Sequence, residues 1–200
     1  MVRLLMCTGT RRRARVPWLS ASVAAGVLLV AGAGCEGPPS SPRPEVLPQV
    51  EASYDRAVRE ALDEVSGSRL LSLALRGATE PGPVWYARVA DRDGTVHVVR
   101  VGAVHGRLLG SSVPGGQTAP DKERVAALAD SAEVLPEVAV EQVKSPDFGK
   151  VSGIRLEKDR RDRTVWSVEV TTVRRDHTQT YLVDAVTKEV LDRRTAAPAA

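Results

Sequence analysis

The residues able to do chemistry are few and scattered. The three histidines are His97, His105 and His177. His97 falls on an expected strand, His105 in the turn that follows it, and His177 in a hairpin turn, Arg174–His177, far along the chain. A zinc site needs several ligands converging on one point, backed by further hydrogen bonds. These three read as exposed structural histidines, and no metal is assigned. Asp91-x-Asp93-Gly94 has the opening spacing of a calcium loop, without its later ligands or its closing Glu. A hairpin turn accounts for it, because Asp and Gly tolerate positive φ. The run Lys158-Asp159-Arg160-Arg161-Asp162-Arg163 mixes both signs and reads as a solvated turn. Trp85 and Trp166 sit in apolar strand sequence and read as core. HExxH, CxxC, GxSxG and P-loop patterns are all absent from the chain. No catalytic residue and no cofactor is assigned, and the chain is read as a non-enzyme.

The remaining reactive residue is Cys35, and its surroundings give it a role. Arg3, Arg11, Arg12, Arg13 and Arg15 precede a stretch from Val16 to Gly34 that holds no charge. A basic segment, an apolar segment and a small-residue site together make an export signal. Gly32-Ala33-Gly34-Cys35 resembles a bacterial lipobox, where the cysteine is acylated and becomes the new N-terminus. Two acyl chains suffice to hold a soluble domain at a membrane face. Residues 1–34 are therefore read as leader and Cys35 as the lipidation site. A single uncleaved transmembrane anchor, or secretion, is the other reading, and each places the remainder outside the cytoplasm. Residues 35–50 carry Pro38, Pro39, Pro42, Pro44 and Pro48, which favours an extended spacer with no core.

The leader also explains the charge. The whole chain has 28 Lys and Arg against 25 Asp and Glu, a net +3. Removing the five leader arginines leaves 23 against 25. The basicity belongs to targeting, and with aromatics at only 4% a nucleic-acid partner is excluded.

An internal repeat organises the rest. At an offset of 81, Val84-Trp85 falls on Val165-Trp166, Leu75 on Leu156 and Val89 on Val170. At an offset of 82, Val101, Ala103, Val104 and Leu109 fall on Val183, Ala185, Val186 and Leu191. Each copy opens with a helix. In the first, Tyr54, Ala57, Val58, Ala61, Leu62 and Val65 recur at helical spacing, with Ser53 as cap. In the second, Pro136–Val143 is the helix. Strands are expected where Leu71, Leu73 and Leu75 alternate, at Val84–Ala90 and at Thr95–Val101. In the second copy they are expected at Val151–Glu157, Val165–Thr172 and Thr178–Asp184. Between the copies, Ala119–Ala132 is expected to be a helix, with Thr118 and Asp121 as a capping box and Val125, Leu128, Ala129 and Ala132 as its apolar face. The fold class is α+β. It comprises two tandem units, 51–112 and 133–194, each a helix on a three- to four-stranded antiparallel sheet. Residues 113–132 form a linker and helix, and 195–200 a frayed tail.

A helix, a strand, a strand carrying Trp, and a strand running into Val183-Asp184-Ala185-Val186-Thr187-Lys188-Glu189-Val190-Leu191 together resemble the PepSY domain family. The first copy reads Val101-Gly102-Ala103-Val104-His105-Gly106-Arg107-Leu108-Leu109. The family usually has Gly where Lys188 stands. The first copy keeps that glycine as Gly106, and has Gly102 where the second has Asp184. Asp184 can hold the turn by accepting backbone N–H groups, and Gly106 supplies positive φ. The resemblance implies binding and regulation rather than catalysis, with peptidase inhibition a role proposed for such domains. The expected protein is a lipid-anchored, extracytoplasmic binder of a protein or peptide partner. The alternative is an envelope sensor of a small ligand or metal, coupled to a membrane signalling partner.

Overall fold

The computed structural model describes residues 47, 49–145, 148–172 and 177–196. The leader, Cys35, most of the Pro-rich stretch, Arg174 and residues 197–200 lie outside the described residues. None of the described helices is long and apolar enough to cross a membrane.

The chain runs α1 (Tyr54–Glu64), β1 (Arg69–Arg76), β2 (Val84–Ala90), β3 (Val96–Gly102) and β4 (Leu108–Ser112). It continues through α2 (Ala119–Asp130), α3 (Pro136–Val143), β5 (Lys150–Lys158), β6 (Thr164–Thr171), β7 (Thr178–Asp184) and β8 (Val190–Ala196). The expectation of two separate sheets is corrected. All eight strands form one antiparallel sheet in the order β4-β3-β2-β1-β5-β6-β7-β8. The first strand of each half pairs with the other, Ser72 facing Arg155, Leu73 facing Ile154 and Ala74 facing Gly153. The physical reason is twofold. A sixty-residue unit buries too little apolar surface to be secure alone, and an uncapped first strand is an open edge. One pairing removes two edges and merges two thin cores.

That merged core lies on one face of the sheet. Ala57, Val58 and Ala61 of α1 are buried against it, and so are Ala139, Val140 and Val143 of α3. Trp85, Leu73, Ile154 and Trp166 belong to the same cluster. Both tryptophans are therefore core. Each indole N–H also ties down the segment that leads into a helix: Trp85 Nε1 donates to the Ala52 carbonyl at 3.0 Å and Trp166 Nε1 to the Val134 carbonyl at 2.7 Å. The same lead-ins are held from the other side. The Ala103 carbonyl accepts the N–H groups of Glu51 and Ala52, and the Ala185 carbonyl those of Glu133 and Val134. Tyr54 at the start of α1 has its phenol pushed up to about 12, first by burial and then by Asp55, Glu137 and Glu141. The last two residues belong to α3.

Several local expectations change. Ser53 stands at the N-cap of α1, but its side chain makes no cap hydrogen bond. The capping box of Thr118 and Asp121 is present in α2, which ends at Asp130, two residues earlier than expected. Leu71, Leu73 and Leu75 do not share a face. The β1–β2 register shifts between Leu70 and Ser72. The resulting bulge places Leu70 with Leu73 in the main core and sends Leu71 to the opposite face. There it meets Ala90, Val96, Val125 and Ala129, so α2 covers part of the second face. The hairpin between β2 and β3 packs closely on this helix, since a Cβ on Gly94 would stand 1.9 Å from the Lys122 carbonyl oxygen. Residues 35–50 are not all spacer. Leu47 and Val50 are buried in the core, and Lys150 Nζ donates to both their carbonyls. Strand β8 extends to Ala196, past the start of the expected tail.

Candidate functional site

The second face of the sheet is only partly covered, and what remains open is a groove of about 550 Å³ beside α2. Ligand sites commonly run from about 300 to 1,000 Å³. Strand alternation decides what faces it. Leu73 and Leu75 point into the core, so Ser72, Ala74 and Arg76 point into the groove. On β2, Trp85, Ala87 and Val89 are core, leaving Tyr86 and Arg88. On β5, Ile154 and Leu156 are core, leaving Gly153 and Arg155. Two rows cross the sheet. One runs Tyr86, Ala74, Gly153, Glu169, and the other runs Arg88, Ser72, Arg155, Ser167. The floor at the β1–β5 seam is thus made of Ser72, Ala74 and Gly153, all small. Val125 and Leu128 of α2 form an apolar wall.

The groove is cationic. Arg76, Arg88 and Arg155 line it against a single carboxylate, Glu169. Among the described residues none of these four makes an ion pair within 4 Å. Glu169 lies over the floor, where a Cβ on Gly153 would meet its Oε2 at 2.8 Å. Arg100 neighbours Tyr86 in the sheet but leans outward, its Nη2 lying 3.2 Å from where a Cβ on Gly110 would stand. The groove pairs no nucleophile with a base. Three guanidinium groups above a floor of small side chains are able to pair with carboxylates.

The other singled-out residues serve local structure. His97 Nε2 lies 3.2 Å from Asp91 Oδ2. The Asp91 and Asp93 Oδ1 atoms both accept the Thr95 N–H, and the Gly94 N–H donates to the Asp91 carbonyl. Those oxygens close the hairpin. His97 on β3 and His177 before β7 are five strand positions apart in the sheet, about 24 Å at the usual strand spacing, so the structure does not bring them together. His105 is exposed in the turn after β3. No group of three or more His, Cys, Asp or Glu able to hold a metal occurs among the described residues. The mixed-sign run at 158–163 is a largely exposed turn held by Asp159, which accepts the N–H groups of Arg161 and Arg163 and both Nε and Nη2 of the Arg163 guanidinium.

Asp184 and Gly106 occupy equivalent turns. Asp184 Oδ1 accepts the N–H groups of Val186 and Thr187, each at 2.9 Å. The Thr187 N–H is the main cause holding this carboxyl below its usual range. The Gly106 N–H donates to the Gly102 carbonyl and the Lys188 N–H to the Asp184 carbonyl. Gly106 has φ 64° and Lys188 has φ 69°, so the lysine adopts a conformation that suits glycine. The groove residues Arg76, Tyr86, Arg88, Arg155 and Glu169 are not found by motif reading. Their one signal is alternation with core residues, and that signal does not say which strands are neighbours.

Residues 127–194 match the family model described as peptidase propeptide and YPEB domain, the PepSY family. The match spans α3 and β5–β8 and leaves the first half outside it. No curated protein matches the chain. Among solved structures, the chain is similar to a candidate lipoprotein from Clostridium difficile 630, with 18% identity and a TM-score of 0.48 over 76% of this chain and 99% of that one. It is also similar to the Bacillus megaterium YpeB C-terminal domain, with 9% identity and a TM-score of 0.27 over 75% of this chain and 69% of that one.

Two outcomes test the turns. Lys188→Gly relieves the left-handed strain, and part of that gain is offset by the freedom glycine adds to the unfolded chain. Urea unfolding should show a net gain of about 0.5–1 kcal/mol. Asp184→Asn keeps one acceptor but loses the charge, and should cost about 1 kcal/mol at pH 7. Because folding lowers the Asp184 pKa, its contribution is complete above the unfolded value of about 3.9 and fades as pH falls. The gap between parent and Asn variant should therefore narrow from pH 7 to pH 3 in the same unfolding measurement.

Proposed function

We propose that this protein is a non-catalytic binding protein held outside the cytoplasm by a lipid on Cys35, and that it restrains a peptidase by binding the enzyme or a peptide segment of it. The match of residues 127–194 to the peptidase propeptide and YPEB family carries this reading. Two further features support it. The sequence before Cys35 has the order of an export leader ending at an acylation site. The groove offers cations and a smooth floor, with no nucleophile beside a base, which suits binding rather than turnover.

The test uses the full chain, tagged at its C-terminus and purified in detergent from its native membranes. Envelope peptidases from the same cells are assayed on casein with and without added chain. The proposal predicts that one of them co-purifies with the chain and is slowed about tenfold by a stoichiometric amount. Casein turnover unaffected in every peptidase fraction would overturn it, as would cleavage of casein by the chain itself.

A further inference from the structure

We infer that the groove over the β1–β5 seam holds an extended acidic peptide segment, with its carboxylates set against Arg88, Arg155 and Arg76. This rests on the binding role proposed above and names the chemistry of the partner.

Charge comes first. The chain after Cys35 carries 23 basic residues against 25 acidic ones. The groove nevertheless gathers three arginines and one glutamate, and none of the four is paired with another described residue. These three present their donors to whatever enters.

Spacing comes second. Arg88 and Arg155 flank Ser72 on either side, two strands apart, so their backbones stand about 10 Å from each other. Arg76 lies four residues along β1 from Ser72, about 13 Å away. The three cations are spread along and across a trough. A compact anion would favour guanidinium groups converging in a closed pocket, whereas these are solvent-exposed. In an extended chain every second side chain points the same way, about 7 Å apart. Carboxylates two and four residues apart can therefore reach different arginines of this set.

Shape comes third. The floor at Ser72 and Ala74 offers no bulky side chain, so a backbone can lie close to it there, while Glu169 lies over Gly153. The Val125 and Leu128 wall of α2 receives the apolar side chains that alternate with the acidic ones. Glu169 is the diagonal neighbour of Arg155 on β6 and repels carboxylates there, which biases the acidic positions toward Arg88 on the other side of Ser72.

The full chain in detergent is titrated against a fluorescein-labelled hexapeptide of alternating Glu and Val, read by anisotropy. The counterpart peptide has Lys for Glu, and citrate and inorganic phosphate serve as competitors. The Glu peptide should bind, the Lys peptide should not, and added salt should weaken binding. The double variant Arg88→Gln with Arg155→Gln should weaken binding about tenfold or more, while Arg100→Gln, outside the groove, should leave it unchanged. Because a lost signal could reflect a lost fold, Arg88→Glu with Arg155→Glu is tested as well, and should reverse the preference toward the Lys peptide. Equal binding of both peptides, indifference to the double variant, or failure of the Glu peptide to bind overturns the inference. Complete displacement by citrate or phosphate at concentrations matching the peptide also overturns it, in favour of a small-anion site. A chain that restrains a peptidase yet ignores the Glu peptide defeats this inference and leaves the binding role standing.

Discussion

The pairing of β1 with β5 is the contact on which the rest depends. It is short, three residue pairs long, yet it joins two four-stranded halves into one sheet. Without it each half would expose the edge of its first strand and would have to survive on its own thin core. With it, Leu73 and Ile154 become the centre of a single cluster that reaches both tryptophans. The same pairing builds the groove. Ser72, Ala74 and Gly153 become a continuous floor only because β1 and β5 are neighbours. Arg88 and Arg155, one from each half, flank that floor for the same reason. Core and site thus share one cause on opposite faces of the sheet.

Each half is then closed by a matching set of bonds. A tryptophan N–H takes a carbonyl from the segment before the helix, and an alanine carbonyl after the third strand takes two N–H groups from that segment. This arrangement explains the small residue in the turn motif. Ala103 and Ala185 are fully buried in the core cluster, where a small side chain fits while the carbonyl holds the lead-in. It also gives the tryptophans two roles at once, filling the core with the ring and anchoring the helix with the indole N–H.

Much of this was legible in the residues and some was not, for physical reasons. Helical spacing located α1, the repeat with Pro136 located α3, and the Thr118–Asp121 pair marked the start of α2. The hairpin signal at Asp91–Gly94 marked the end of β2, and the repeat carried the strand order to β7. The β1 bulge defeated alternation: one extra residue moved Leu71 to the far face, and nothing local announces that. The joining of the halves is a contact between residues about eighty positions apart, and no periodicity encodes which edge meets which. The groove arginines were invisible as a site because each looks like an ordinary solvent-facing strand residue. Only the strand order assembles them. The turn at Lys188 shows the opposite case, where the equivalent turn at Gly106 holds glycine and the backbone adopts the glycine conformation with a lysine in place.

The account stands on the two halves being one cooperative body. The direct measurement is hydrogen exchange of the full chain at increasing urea, followed separately on the β2–β3 and β6–β7 segments. One sheet with one core predicts that both segments lose protection at the same denaturant concentration and with the same dependence on it. Loss of protection in one segment while the other stays protected would show two independent units, and would contradict the seam on which core and groove are built.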